Sequence, residues 1–201
     1  ALADLGLRHV SAYQLTIEPG TRFGELAKRG RLPMADDGRV ADAFVAIDRA
    51  LASRGLAHYE ISNYAAPGEE ARHNLGYWRG EEYLGLGCAA YGFVRDAAGA
   101  YRYRNAIDPE RYVAEPTREH TREPLDAEAM LRERIMLGLR LAGGFDLESA
   151  ARELGIDPWP ASRRRAADRL VAMNRLKISD SILEIPNDAW IFADDTSARL
   201  F

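Results

Sequence analysis

The stretch ARHNLGYWRGEEYLGLGCAAYG, residues 71–92, decides how the rest of this chain is interpreted. Its first half carries a histidine, an asparagine, two aromatic residues and two arginines, and its second half is dominated by glycines and other small residues. A plain hydrophobic strand needs no such polar group, whereas a ligand site uses one. We therefore interpret residues 71–92 as a candidate ligand site that leads into a close-packed strand.

The composition excludes several classes of protein. Of the 201 residues, 47% are hydrophobic and 29% are charged, and the net charge of −4 disfavours bulk nucleic-acid binding. The longest apolar runs fall short of the ~20 residues that span a bilayer, and no signal peptide is recognised. Because Cys88 is the only cysteine, the chain has no internal disulfide and no cysteine-based cluster. We expect a cytoplasmic protein.

Before the central stretch, the pattern is strand, helix, strand. RHVSAYQLTI (8–17) predicts a buried strand, and AHYEISNYA (57–65) predicts a second one. The helix between them has four apolar residues on one face, namely Val40, Phe44, Ile47 and Leu51. A strand–helix–strand unit predicts parallel pairing in an α/β sheet covered by helices.

After the central stretch, more strands and then a change of composition are expected. YLGLGCAAYGFV (83–94) predicts a third strand and YRYRN (101–105) a fourth, around a turn at residues 96–99. The charged, apolar-poor segment 117–128 is typical of a linker. We therefore expect one domain over residues 1–115 and a second over 116–201.

The second domain is predicted to be a small winged-helix-like α+β domain. One helix carries Leu131, Ile135 and Leu139 on one face and ends at Gly143 and Gly144. A short helix capped by Asp146 follows, then a helix from Ser162 to about Asn174. ILEIPNDAWIF (182–192) predicts a hairpin that turns at residues 186–188.

A winged helix is compatible with DNA binding, because SRRRAADRL (162–170) would begin the helix that reads bases. The alternative is a solvated basic face on a structural domain. Residues 126–201 hold 11 basic and 13 acidic side chains, a net charge of −2, whereas a DNA module is normally basic. The charge balance favours the structural interpretation and no nucleic-acid partner.

Four motifs, in this order, resemble the C-terminal half of the HemW heme chaperones, which are radical S-adenosylmethionine proteins related to the oxygen-independent coproporphyrinogen III oxidases. The motifs are SAYQLTIEPGT (11–21), HYEISNYAAPG (58–68), RHNLGYWRGEEYLGLGCAAYG (72–92) and MLGLRL (136–141). HNLGYW (73–78) resembles the His-Asn-x-x-Tyr-Trp signature that separates these chaperones from the oxidases. Gly76, where that family usually has Asn, and Tyr91, where it commonly has His, depart from the pattern.

The resemblance implies the C-terminal part of a partial (β/α) radical S-adenosylmethionine barrel over residues 1–115, followed by the winged-helix-like domain. The family's cofactors are S-adenosylmethionine and a 4Fe–4S cluster held by a CxxxCxxC motif, which this chain lacks. We therefore expect a fragment without cluster ligands or catalytic residues of its own, so that its status as an enzyme stays open. The implied partners are the other half of the barrel, heme, and a heme-acceptor protein such as a respiratory one, with membrane contact only through that acceptor.

The resemblance also assigns roles to individual residues. His73 is the candidate ligand of heme iron, and Tyr77 and Trp78 are candidates for stacking on the porphyrin. Arg72 and Arg79 could pair with the propionates. Gln14 is the candidate contact to S-adenosylmethionine. For His73 and Gln14 an ordinary structural hydrogen bond is the alternative, and for the glycines of the central stretch it is tight packing.

The expected function is therefore heme binding and transfer to an acceptor protein. The first alternative is coproporphyrinogen III oxidation in heme biosynthesis, and the second is a winged-helix DNA-binding module.

Overall fold

The computed structural model describes residues 5–97, 99–115 and 119–201. The chain divides into two compact units, Ala1–Glu70 and Ala71–Phe201. Among the residues described, no helix has the length and the apolar character to cross a membrane. The division of the chain into domains at residues 115 and 116 stays a prediction.

The first unit is a small antiparallel sheet with two helices. The sheet has the order β1-β3-β2, and its strands are β1 (His9–Ser11), β2 (Ala57–Glu60) and β3 (Asn63–Ala65). The helices are α1 (Arg22–Lys28) and α2 (Asp37–Ala52). Asp36 begins α2 by accepting a hydrogen bond from the Arg39 N–H at 2.8 Å, as an N-cap residue does.

The predicted parallel pairing is wrong, because residues 57–65 form two strands rather than one. The chain turns after Glu60, whose carboxylate accepts hydrogen bonds from the Ser62 N–H at 3.2 Å and from the Asn63 amide. The returning strand β3 then lies between β1 and β2 and is antiparallel to both. The first strand is also shorter than predicted, since only residues 9–11 pair.

A compact apolar cluster holds the first unit together. Leu51 of α2 packs with Leu56 and Tyr64, and Val10 and Ala12 lie against them. The predicted face of α2 is confirmed only in part, because Ile47 is 38% exposed.

The first part of the second unit is a helix followed by an antiparallel sheet of order β4-β5-β6. Its elements are α3 (Arg72–Trp78), β4 (Tyr91–Asp96), β5 (Gly99–Asn105), α4 (Pro109–Ala114) and β6 (Glu119–Leu125). The hairpin between β4 and β5 is confirmed by the pairing of Asp96 with Gly99, and Ala98 lies outside the described residues. Two sequence predictions fail here.

The first failure is the strand predicted over residues 83–94, which begins only at Tyr91. The second is the linker predicted over residues 117–128, most of which is β6. Its charges suit an edge strand: Arg122 contacts the Asp96 carboxylate at 3.1 Å, and its guanidinium lies 3.3 Å from the centre of the Tyr101 ring. Charged composition therefore indicated exposure here rather than absence of structure.

The last part of the second unit is a set of helices with a small sheet of order β7-β9-β8. Its elements are α5 (Ala127–Gly138), β7 (Phe145–Asp146), α6 (Leu147–Leu154), α7 (Ala161–Ala172), β8 (Lys177–Ser179), β9 (Ile182–Glu184), a 3-10 helix (Asn187–Phe192) and α8 (Ala193–Ala198). The three predicted helices are present, but the first, predicted to end at Gly143 and Gly144, ends at Gly138. Asp146 caps α6 by accepting from the Ser149 N–H at 2.9 Å.

The hairpin predicted over residues 182–192 is wrong. Strand β9 pairs instead with the preceding strand β8, across a turn at Asp180, which has a φ of 55°. Residues 186–188 instead begin the 3-10 helix, where the buried Trp190 donates its indole N–H to the Ile185 carbonyl at 2.9 Å. The core of this region contains the predicted face of α5, since Leu131, Ile135 and Leu139 are at most 1% exposed.

The predicted mixed α/β class is confirmed. Within residues 5–97, 99–115 and 119–201, every named strand pair is antiparallel and no barrel is closed. The partial barrel is therefore not visible as such in this chain.

Candidate functional site

His73, Tyr77 and Tyr83 form an aromatic row in the second unit. His73 and Tyr77 are four residues apart in α3, which places them on one face of the helix. Their rings meet edge-on with centroids 4.7 Å apart, and Tyr77 meets Tyr83 in the same way at 4.5 Å. Tyr83 is fixed by two backbone hydrogen bonds to Phe93 of β4, each 2.9 Å long. The row thus connects the exposed imidazole of His73 to the sheet.

The two ends of this row differ in environment. His73 is exposed, and no hydrogen bond to its ring nitrogens is found within the described part of the chain. Burial raises the pKa of the Tyr83 phenol, an effect that the nearby Arg102 partly offsets. Tyr83 is therefore a neutral wall of the site, whereas the imidazole of His73 is accessible.

A cleft of about 470 Å³ lies beside the row, between the sheet and α5. We call it the β4–α5 cleft. Its sheet side and its helix side are largely aromatic and aliphatic, and its lining includes Tyr77, Tyr83, Tyr91, Phe93, Met130, Met136 and Leu137. A smaller pocket of about 90 Å³, lined by Arg72, His73 and Gly76 among others, shares the walls Tyr77, Glu81 and Tyr83 with it. The predicted ligand of heme iron therefore lies next to an apolar cleft.

Three arginines line the same cleft. Arg102 pairs with Glu133, which also lines the cleft, and lies 3.9 Å from Glu123. Arg134 pairs with Glu153 at 2.7 Å. The guanidinium of Arg95 lies 5.3 Å from the centre of the Phe93 ring and donates to the Gly80 carbonyl at 3.2 Å. Among the described residues, Arg95 has no ion pair with a carboxylate.

Trp78, the second predicted stacking residue, lines neither of these two pockets. Its ring faces the Arg140 guanidinium, 5.3 Å from the ring centre. Its indole N–H is buried and has no hydrogen-bond partner within the described ranges. Arg72 and Arg79, the predicted propionate partners, are both exposed, and Arg72 lines the small pocket beside His73.

The glycine-rich segment after Tyr83 is a loop held by three side chains that no sequence motif singles out. The Gly85 N–H donates to the Tyr103 hydroxyl at 2.9 Å, and the Gly87 N–H donates to the Tyr112 hydroxyl at 3.0 Å. The buried Asn105 amide donates to the carbonyls of both glycines at 2.9 Å. A side chain at Gly85 would collide with the Tyr91 carbonyl, which favours the tight-packing interpretation there.

This loop directs apolar side chains outward. Leu84 is 71% exposed and Leu86 is 83% exposed. Cys88 is exposed as well, although a free cysteine is among the most commonly buried residue types. Within the described residues, no group of three or more histidine, cysteine, aspartate or glutamate side chains is arranged to hold a metal ion.

Gln14 belongs to the first unit, where it is exposed and follows β1. Three polar side chains of the neighbouring sheet are linked by hydrogen bonds. Glu60 is fully buried, accepts from the Asn63 amide, and Asn63 in turn accepts from the Ser11 hydroxyl. The contact of Gln14 to S-adenosylmethionine stays a prediction.

The arginine-rich start of α7 is less available to DNA than its sequence suggests. Arg163 is 1% exposed and donates to the Leu200 carbonyl at 2.8 Å, the Pro158 carbonyl at 3.1 Å and the Glu128 carboxylate at 2.6 Å. Arg164 lies over the Trp159 ring at 5.1 Å. One of the three consecutive arginines is thus a core residue.

Comparison with known proteins gives this geometry a family context. Residues 125–192 match the HemN C-terminal domain. The heme chaperone HemW of Mycobacterium tuberculosis is 38% identical over 152 residues, which cover 73% of this chain and 38% of that protein. The heme chaperone HemW of Bacillus subtilis is 34% identical over 157 residues, or 76% of this chain and 40% of the relative. The heme chaperone HemW of Escherichia coli is 45% identical over 92 residues.

A solved structure supports the fold. The coproporphyrinogen III oxidase HemN of Escherichia coli, described as a radical SAM enzyme, aligns with a TM-score of 0.76 over 99% of this chain and 49% of its own, at 12% identity. That identity is informative about fold alone. The chain spans about 38 to 40% of the length of the first two curated relatives, and the resemblance seen in the four motifs is confirmed.

Proposed function

Because this chain is related to the C-terminal part of the HemW heme chaperones and carries a HemN C-terminal domain, we propose that it binds heme for transfer to an acceptor protein. The observation that carries the proposal is the aromatic row, which presents an exposed imidazole beside an apolar cleft. Heme is the cargo of this activity, and the acceptor is a heme protein.

His73 binds the heme iron in this proposal. Imidazole is a common axial ligand of heme, and ligation needs a neutral ring nitrogen that is free to approach the metal. The exposure of His73 and the lack of a ring hydrogen bond in the described part of the chain meet that need. Tyr77 holds the ring edge-on from one side, so that the imidazole is oriented without being blocked.

The cofactors of the complete protein are a separate matter. A 4Fe–4S cluster needs about four cysteine thiolates, and Cys88 is the single cysteine here. The residues of this chain therefore do not fit a cluster. Gln14 is the residue of this chain that we propose to contact S-adenosylmethionine in the longer protein, through its side-chain amide.

The first prediction tests the ligand. In the 201-residue chain loaded with heme, His73→Ala should lose the Soret position of an imidazole-ligated iron. Weaker binding should remain, because burying a porphyrin contributes roughly 25 cal/mol per Å² of apolar area whether or not the iron is ligated. The absorption spectrum is therefore the measurement.

His120→Ala is the matched control, since His120 is also exposed and lies on β6. It should keep the wild-type spectrum. A His73→Ala protein with an unchanged Soret band would show that the iron ligand lies elsewhere.

A further inference from the structure

The β4–α5 cleft lies beside the proposed iron ligand, and its shape and charge suit one class of ligand. We propose that this cleft holds the porphyrin ring itself, with Arg95 on one of the ring's carboxylates. The inference rests on the proposed function. It adds the residues that contact the porphyrin ring to the residue that binds its iron.

The dimensions of the cleft fit a flat, apolar ligand. Its volume of about 470 Å³ falls within the roughly 300–1,000 Å³ of small-molecule sites. One wall is the sheet, through Tyr91 and Phe93, and the other is α5, through Met130 and Leu137. A slot between a sheet and a helix accepts a planar molecule, and thioether and aromatic side chains pack well against its faces.

The charges of the cleft select for an acidic ligand. Three arginines and two glutamates line it, so the positive side chains are in excess. Arg102 and Arg134 are already paired with acids. Arg95 is the remaining one: in the described residues its guanidinium donates to the Gly80 carbonyl and lies over the Phe93 ring, and the Glu82 carboxylate accepts from its backbone N–H rather than from its guanidinium. A carboxylate at the edge of a ring lying on Phe93 would be in reach of it.

The cleft is also adjacent to the proposed iron ligand. Tyr77, Glu81 and Tyr83 line both the cleft and the small pocket that contains His73. Tyr77 is therefore a wall that the ring site shares with the pocket of the imidazole. Both sites lie within the second unit, whose residues 71–201 form one compact body.

A metal-free porphyrin separates the ring site from iron ligation. Protoporphyrin IX without metal is titrated into the chain, and its fluorescence reports binding. Phe93→Ala should raise the dissociation constant about tenfold, since it removes an aromatic wall, and Met130→Trp should do the same by filling the slot. His73→Ala should leave the dissociation constant within about twofold, because no iron is present.

The structure offers a matched control outside the cleft. The guanidinium of Arg175 lies 4.1 Å from the centre of the Phe192 ring, which repeats the cation–π contact of Arg95 and Phe93, and it also pairs with Asp195 at 2.6 Å. Phe192→Ala and Arg175→Ala should bind the porphyrin like the wild type. Thermal melting by circular dichroism identifies any variant that has lost its fold. If Phe93→Ala is unfolded, porphyrin binding by the folded Met130→Trp protein tests the cleft instead.

Arg95 is tested with the dimethyl ester of the same porphyrin. The wild type should prefer the diacid, and Arg95→Ala should reduce that preference about fivefold, while Arg175→Ala keeps it. Unchanged porphyrin binding in folded Phe93→Ala and Met130→Trp proteins would overturn the cleft assignment and leave heme binding intact. A wild-type chain that binds neither heme nor metal-free porphyrin would overturn the proposed function, and this inference with it.

Discussion

His58 in the first unit is an ionisable residue that the fold holds in its neutral form. Its ring stacks on Tyr64 with centroids 4.0 Å apart, and its Nδ1 lies 3.4 Å from the Asp48 carboxylate. Burial lowers the pKa of His58, although the Ile61 carbonyl and Asp48 act in the opposite direction. The same burial, with Asp48 adding to it, raises the pKa of Tyr64 to about 12.

A pH dependence of stability follows from His58. Because its pKa is lower in the folded state, the unfolded chain binds the proton more readily below the usual pKa of about 6.5. The free energy of unfolding should therefore fall as the pH drops through about 6.5 toward the lowered pKa. Urea titrations at several pH values measure the slope.

His58→Phe should flatten that part of the slope, since phenylalanine keeps a ring against Tyr64 but cannot bind a proton. His120→Phe, at an exposed position of β6, should leave the slope as it is in the wild type. An equal slope in wild type and His58→Phe would assign the pH dependence to other groups.

Single residues of the candidate site were predictable only where local spacing decides their neighbours. The four-residue separation of His73 and Tyr77 brings their rings together on α3. The contact of Trp78 with Arg140 and the wall formed by Phe93 and Met130 depend on packing between distant segments. No local pattern in the sequence contains that information.

The helix α3, which carries His73, has Gly76 near its centre, and this glycine affects the stability of the helix. Gly76 has ordinary helical backbone angles, so glycine is not required there. A methyl group at this position would lie 2.9 Å from the Glu81 carboxylate, the flexible end of a side chain that can move aside. Glycine loses more backbone conformational entropy on folding than alanine does, so alanine at this position should stabilise the helix.

Gly76→Ala should raise the free energy of unfolding of the second unit by about 0.5–1 kcal/mol. Gly92→Ala is the contrasting variant, because its methyl group would collide with the ring of the buried Tyr103. It should lower that free energy by about 1–3 kcal/mol. Denaturant unfolding followed by tryptophan fluorescence gives both values, and a destabilised Gly76→Ala protein would mean that Glu81 cannot move.

At the level of elements, the sequence predicted helices well and strand pairing poorly. Asp36, Asp126 and Asp146 begin helices through local hydrogen bonds, which is information carried by three or four consecutive residues. The pairing of β1 with β3 joins residues 9–11 to residues 63–65. A periodic apolar pattern identifies strands but does not state their partners.

The molecule as a whole exposes several large apolar side chains. Leu84 and Leu86 project from the glycine-rich loop, and in the first unit Tyr13 is 77% and Leu15 is 60% exposed. Exposed apolar groups of this kind mark surfaces that associate. These residues lie outside the β-strands, so the exposed apolar side chains themselves are the reason to expect self-association.

The 201-residue chain should therefore form concentration-dependent oligomers in sedimentation velocity experiments. The double variant Leu84→Gln and Leu86→Gln should shift the distribution toward the monomer, since it removes the two most exposed leucines. Met173→Gln, a change at a half-exposed residue after α7, serves as the control and should leave the distribution unchanged. Monomers at all concentrations in the wild type would contradict this expectation.

The buried Arg163 side chain ties residue 200 to helix α5. Its guanidinium bridges the Glu128 carboxylate and the Leu200 carbonyl, so residues far apart in the sequence meet at one buried cation. Leu200 is itself fully buried. Displacing residue 200 would remove one of the three hydrogen-bond acceptors of this buried guanidinium and a buried side chain, although Glu128 and Pro158 would still hold the charge. A truncation that reaches Leu200 would thus disturb the core, whereas Phe201 is 42% exposed.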